Sequence, residues 1–337
     1  MSPFLNAFTS RFGLPFVALI FMSSVLSAEE PALIEFLPDG ASPNAAQREL
    51  IMEAAAKVRG CRVQYDAEGN VVGLQLSNHN ADRPRDLTEE QKKQLESRSG
   101  LDDATFVALG ELPELKALAL RKQPLSAEAF AVLENWPDLE VFRIERDDWG
   151  DDNADFMLHL NKVPNLKWLE LKHLFGLDDT RVDELNGFPN LVRLELDNAS
   201  AQEECLPFLE RCPNLKDFEL HRTRMTNEQI MRMIQSLPNI ERLDIKQHHA
   251  KELDARCLAP LKDSNHLRVF VFNRWKDDQI FWENGVEHLA EVPSLKKLGA
   301  PWEHPAIVKL LEVRPDIEKK DGRDYAVPFD EYKAMSR

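Results

Sequence analysis

Phe188-Pro189-Asn190-Leu191-Val192-Arg193-Leu194-Glu195-Leu196 is the phrase on which the fold turns. Leu194 and Leu196 alternate with Arg193 and Glu195, and such alternation sends apolar side chains to one face of a strand and polar ones to the other. The phrase recurs. Leu112-Pro113-Glu114-Leu115, Trp136-Pro137-Asp138-Leu139 and Val163-Pro164-Asn165-Leu166 precede it. It continues at Pro213, Pro238, Pro293 and Pro315, with Asn265 once in the proline's place. Successive intervals are 24, 27, 25, 24, 25, 27, 28 and 22 residues.

With that proline as zero, four columns emerge. Two residues on stand Leu115, Leu139, Leu166, Leu191, Leu215, Ile240, Leu267, Leu295 and Ile317. Five on stand Leu118, Phe142, Leu169, Leu194, Phe218, Leu243, Phe270 and Leu298. Seven on stand Leu120, Ile144, Leu171, Leu196, Leu220, Ile245, Phe272 and Ala300. Four before it lie Leu109, Leu133, Leu160, Leu185, Leu209, Ile234, Leu261, Leu289 and Leu311. The second half of each unit carries helix signals. Thr226-Asn227-Glu228-Gln229 is a capping-box pattern, and Asp102 and Ser126 are cap residues for two other helices. One strand with one helix cannot bury both apolar faces, whereas stacked units bury them continuously.

The pattern P-x-L-x-x-L-x-L followed by a short helix, at about 25 residues per unit, resembles the leucine-rich-repeat family. The resemblance implies an α/β solenoid, with a curved parallel sheet on the concave face and short helices on the convex face. It spans residues 71–317 in about nine units. An apolar-periodic helix over Pro43–Arg59 and a strand-turn-strand from Arg62 to Leu76 make 29–70 an N-terminal cap. That entry is similar to the start of bacterial exported proteins of this family. Ser77–Ser97 breaks the period, and Thr88-Glu89-Glu90-Gln91 marks an inserted helix. Residues 318–337 form a C-terminal cap and tail, with Lys319 and Lys320 where apolar residues are expected.

Residues 1–28 have the form of a secretory signal. Arg11 precedes an apolar run from Leu14 to Leu26, and Ser27-Ala28 offers a cleavage point. The run is short of the ~20 residues of a spanning helix. An uncleaved anchor is the alternative. The expectation is an exported chain, periplasmic or extracellular, with no stable membrane insertion once the signal is removed. The formal charge of −16 argues against nucleic acid as partner, because phosphate binding needs clustered Lys and Arg.

Chemistry-bearing motifs are absent from the sequence. There is no G-x-S-x-G, phosphate loop, H-E-x-x-H, Cys/His metal spacing or D-x-D-x-D-G calcium loop. No enzyme, cofactor or metal is expected. Cys61, Cys205, Cys212 and Cys257 are expected to be unpaired. Cys212 lies in a core column, and Cys205 and Cys257 lie two units apart, about 10 Å along a parallel sheet. His159 and His288 are expected to be half-buried packing residues, and His248-His249 to lie in a turn.

Positions four, six and eight after the proline are expected to face solvent. The six column includes Arg143, Glu170, Glu195, Glu219 and Asp244, so four carboxylates stack on adjacent strands. The four column supplies Trp168, Arg193, Asp217 and Arg242; the eight column supplies Lys172, Asp197, His221 and Lys246. Two readings stand: a solvated, self-neutralised lattice, or a recognition strip with Trp168 as anchor and a partner carrying basic groups. Trp275, Phe281 and Trp282, in the 28-residue unit, form a second candidate patch. The function expected is a non-catalytic, extracytoplasmic module binding a protein or other macromolecule. The competitors are a self-associating structural protein and an enzyme with an unfamiliar site.

Overall fold

Strands follow one another across the sheet in the order in which they follow one another in the chain, as stacking of a repeat requires. The computed structural model describes residues 33–79, 88–146, 151–173, 182, 184–197, 206–223, 225–247, 253–274 and 281–320. The expected leader at 1–28, Cys205, His248-His249, Trp275 and the tail beyond residue 320 lie outside them.

The sheet opens with β1 (Leu33–Phe36), β2 (Gly60–Tyr65) and β3 (Val71–Ser77). Helix α1 (Ala45–Lys57) links β1 to β2, and its Asn44 cap accepts from the backbone of Ala46 and Gln47. β2 and β3 form the expected antiparallel hairpin, while β1 adds itself parallel to β2. β1 was not expected, because four residues at the edge of the array are too few for a visible alternation. Helix α2 (Glu89–Glu96) confirms the inserted helix.

From β3 onward every pairing is parallel. The strands are β4 (Ala117–Arg121), β5 (Val141–Glu145), β6 (Trp168–Lys172), β7 (Arg193–Asp197), β8 (Asp217–Thr223) and β9 (Arg242–Gln247). β10 (Val269–Arg274), β11 (Lys297–Gly299) and β12 (Glu318–Lys319) complete the array. The five column lies in register from Leu118 through Phe142, Leu169, Leu194, Phe218, Leu243 and Phe270 to Leu298, each fully buried. Burying one such side chain contributes roughly 1.5–3 kcal/mol relative to exposure.

On the return side stand α3 (Asp103–Ala108), α4 (Leu206–Glu210), α5 (Asn227–Gln235) and α6 (Pro305–Val313). Asp102 caps α3, and Thr226 with Gln229 closes the expected capping box on α5. Other units return through 3₁₀ segments, Glu128–Asn135, Asp151–Lys162, Ala255–Asp263 and Val286–Glu291. A 3₁₀ turn rises about 2.0 Å per residue against 1.5 Å for an α-turn, so it spans the return with fewer residues.

The residue after the proline ties units together. The side-chain amides of Asn165, Asn214 and Asn239 donate to the carbonyls of Pro137, Pro189 and Pro213, each one unit back, at 3.1, 2.7 and 3.0 Å. Among the described residues no helix is long and apolar enough to cross a membrane.

Candidate functional site

The three outward columns stand in the expected register. Glu170, Glu195, Glu219 and Asp244 face one another across β6 to β9, flanked by Trp168, Arg193, Asp217 and Arg242 on one side and Lys172, Asp197, His221 and Lys246 on the other. Their exposure does not match the expectation. Trp168, Glu170, Arg193, Glu195, Asp217, Glu219, His221, Arg242 and Asp244 are all buried, from 0% at Asp217 to 8% at His221. A strip of solvent-facing carboxylates is therefore not what the strands carry.

Ion pairing gives the physical reason. Arg143 forks onto Glu170, Nε to Oε2 at 2.8 Å and Nη2 to Oε1 at 3.1 Å. Lys172 bridges Glu170 and Glu195 at 2.6 and 2.8 Å. Arg193 Nη2 reaches Glu219 Oε1 at 3.1 Å and lies 3.7 Å from Glu195 Oε2. Arg242 binds three carboxylates at once, those of Asp217, Glu219 and Asp244, at 2.7, 2.9 and 2.9 Å. Cations alternate with anions between strands, so long side chains lie down along the sheet toward a partner. The lattice is self-neutralised, as one of the two readings had it, but it is not solvated.

Trp168 is held from both sides. The Arg143 and Arg193 guanidiniums lie 4.7 and 4.5 Å from its ring centroid. Such contacts strengthen when desolvated, to about 2 kcal/mol. An aromatic ring clamped in this way fixes two arginines rather than offering itself to a partner.

The carboxylates do not share their protons equally. Burial alone raises every one of them. At Glu170 the charges of Arg143 and Lys172 outweigh burial and hold the carboxyl well below the usual range. Glu219 is likewise lowered by Arg242 and Arg193, and Asp244 by His221, Lys246 and Arg242. At Glu195 burial, reinforced by Glu170 and Glu219 on either side, outweighs Lys172 and pushes the carboxyl up. Glu195 has one close cation where its neighbours have two or more, which places the least compensated charge mid-column.

The second candidate patch is also interior. Phe281 and Trp282 are fully buried; Phe281 stacks on Phe272 at 3.6 Å and Trp282 meets both rings edge-on. The long unit fills its extra volume with its own aromatic cluster, so these two residues are core. His159 and His288 are half-buried as expected. Cys61, Cys212 and Cys257 are free and buried.

Charge reaches solvent instead at the C-terminal ends of the strands. The Arg222 and Lys246 side chains are 36% and 40% exposed. Arg222 pairs with Asp197 at 2.9 Å and meets His173 Nε2 at 3.0 Å. Lys122, His173 and Arg222 all stand nine after the proline and all have positive φ, 54°, 57° and 58°. With Arg146, which is buried, and Arg274, the column carries four Lys or Arg beside Asn198, Gln247 and Trp302. The signal was legible at position nine, one residue beyond the columns taken to face solvent.

The strand order, the buried columns and the repeat define a leucine-rich-repeat solenoid. No family model matches the chain, and no curated protein does. Among solved structures the chain is similar to internalin C2 from Listeria monocytogenes str. 4b F2365, with 14% identity, 65% of this chain and 86% of that chain covered, and a TM-score of 0.41. It is also similar to TLR13 in a TLR13–ssRNA13 complex, with 16% identity, 65% of this chain and 41% of that chain covered, and a TM-score of 0.38. The fold assignment rests on the sheet and the repeat.

Proposed function

We propose that the protein is a non-catalytic, extracytoplasmic binding module that engages another protein at the strand C-terminal rim of its concave face. The observation that carries this reading is the division of labour between columns. Across β7 to β9, columns four and six are buried and locked in ion pairs. Columns eight and nine send Arg222 and Lys246 out from that base. A rigid sheet with its charges fixed holds rim groups with little entropy to lose on binding. The exposed rim groups are cationic, so they suit acidic side chains of a partner. The formal charge of −16 disfavours a polyphosphate chain. The apolar run at Leu14–Leu26 supports export.

The experiment is capture from extracytoplasmic extract in chelator-containing buffer, comparing the parent with Arg222→Glu/Lys246→Glu. A partner held by the parent and lost by a folded rim variant supports the reading; equal capture by both contradicts it. Glu195→Lys/Glu219→Lys does not serve this purpose, because it places cations inside a buried lattice and tests folding.

A further inference from the structure

The geometry points to a divalent transition-metal site within the lattice, formed by His221, Glu219 and Glu195 and regulated by Lys246. This goes beyond the binding reading and does not rest on it. One ligand atom from each of the three residues lies within 4.8 Å of the other two, and all three residues are buried. Zinc bound to nitrogen and oxygen at ~2.0–2.2 Å in a tetrahedral arrangement sets its ligand atoms roughly 3.4 Å apart. His221 Nε2 and Glu219 Oε2 already stand 3.5 Å apart, so little movement is needed at that edge.

The lattice leaves these particular atoms underused. Arg193 and Arg242 both take Oε1 of Glu219, and Oε2 turns to His221. Lys172 takes Oε1 of Glu195, while the cation nearest Oε2 among the described residues is Arg193 at 3.7 Å, beyond hydrogen-bond reach. A second, independent observation lies beside the triad. Asp244 is 1% exposed; Arg242 takes its Oδ2, while among the described residues its Oδ1 has no hydrogen-bond partner. That oxygen sits 3.7 Å from His221 Nε2. A buried carboxylate oxygen without a donor is costly, and this one borders the nitrogen a metal would use.

A cation lies on the histidine side of the site. Lys246 Nζ lies 3.1 Å from His221 Nε2 and 3.6 Å from Asp244 Oδ2. At 3.1 Å the ammonium faces the same Nε2 that a metal would use, so the two cations compete for one ring nitrogen. The Lys246 side chain is 40% exposed and can swing to water, exchanging its single charge for the metal's two. An imidazole with carboxylates suits zinc better than calcium, which takes six to eight oxygens. Arg193 and Arg242 nearby keep the affinity moderate.

Calorimetric titration of the full chain with zinc chloride tests this. One zinc per chain is expected. His221→Ala weakens it at least ten-fold, and Lys246→Ala tightens it several-fold, a gain that misfolding does not produce. Thermal melts confirm that each variant is folded. No zinc uptake by the parent overturns the proposal, as does unchanged affinity in His221→Ala or unchanged or weaker affinity in Lys246→Ala.

Discussion

The Arg193 guanidinium lies 4.5 Å from the Trp168 ring centroid, in a lattice where both residues are more than nine-tenths buried. The same guanidinium serves Glu219 and Glu195. One side chain thus joins two columns over two adjacent strand pairings. Removing it leaves Glu219 with Arg242 and Glu195 with Lys172 but takes one buried cation out of the lattice, which sets the cost at the lower end of the about 3–5 kcal/mol for breaking a buried pair. Arg193→Ala should lower the urea midpoint accordingly, and Trp168→Leu should lower it by less, about 2 kcal/mol for the lost cation–π contacts. Equal, small effects from both would show the lattice to be loosely held.

Acid should act on this protein in two opposed ways. Glu195 is raised in the folded chain, so it binds its proton more tightly folded than unfolded. Its ionised form costs stability at neutral pH, and that cost is relieved as pH falls through the folded value. Glu170, Glu219 and Asp244 are lowered, so their contribution is present above the ordinary carboxylate value of about 4 and lost as pH falls through the depressed ones. Melting curves should therefore rise from pH 7 toward mildly acidic pH before falling. Glu195→Gln should be more stable than the parent at pH 7 and should show a smaller rise, the remainder coming from Asp217, which burial also raises, while keeping the acid limb.

The asparagine ties should be measurable one at a time. Asn214→Ala removes the amide that donates to the Pro189 carbonyl at 2.7 Å. The expected cost is about 1 kcal/mol, seen as faster hydrogen exchange in β7 and β8 while β3 to β5 are unchanged, because each unit contacts only its neighbours.

At the far end Arg314 donates to the carbonyls of Ala290, Val292 and Leu295 and pairs with Asp316 at 2.8 Å. It satisfies three backbone groups with one side chain. Arg314→Ala should fray α6 and β12 first, with a loss of about 1–3 kcal/mol for the orphaned carbonyls, and hydrogen exchange should rise there before anywhere else.

Burial pushes the Cys212 thiol up to about 11, and raises Cys61 and Cys257 as well. These three should resist a thiol reagent at pH 8 in the folded chain and react once it is unfolded. Fast reaction of any of them in the native state would place it outside the core.

The apolar columns were legible because their spacing alone fixes which side chains meet. Leu194 could only face Leu169 and Phe218 once the phrase was aligned. The stacking of Glu170, Glu195, Glu219 and Asp244 followed from the same register. Their burial did not, because alternation says which face a residue points to and not how completely its neighbours cover it. Arg193 and Glu219 are two positions apart in different columns and meet only because each side chain leans along the sheet. Phe281 and Trp282 read as a patch because an irregular unit has no column to place them in. The residues Lys122, His173 and Arg222 were legible at position nine, but not the positive φ that Lys122 and His173 take just past their strands and Arg222 takes inside β8.

The most direct test of the account compares capture by three chains: the parent, Arg222→Glu/Lys246→Glu on the rim, and Lys162→Glu, whose side chain is 56% exposed on the return side. Each is first shown to be folded, and chelator is present throughout. The account predicts one partner retained by the parent and by Lys162→Glu and lost by the rim variant. Retention by the rim variant, or loss in Lys162→Glu, would place recognition elsewhere on the solenoid and contradict it.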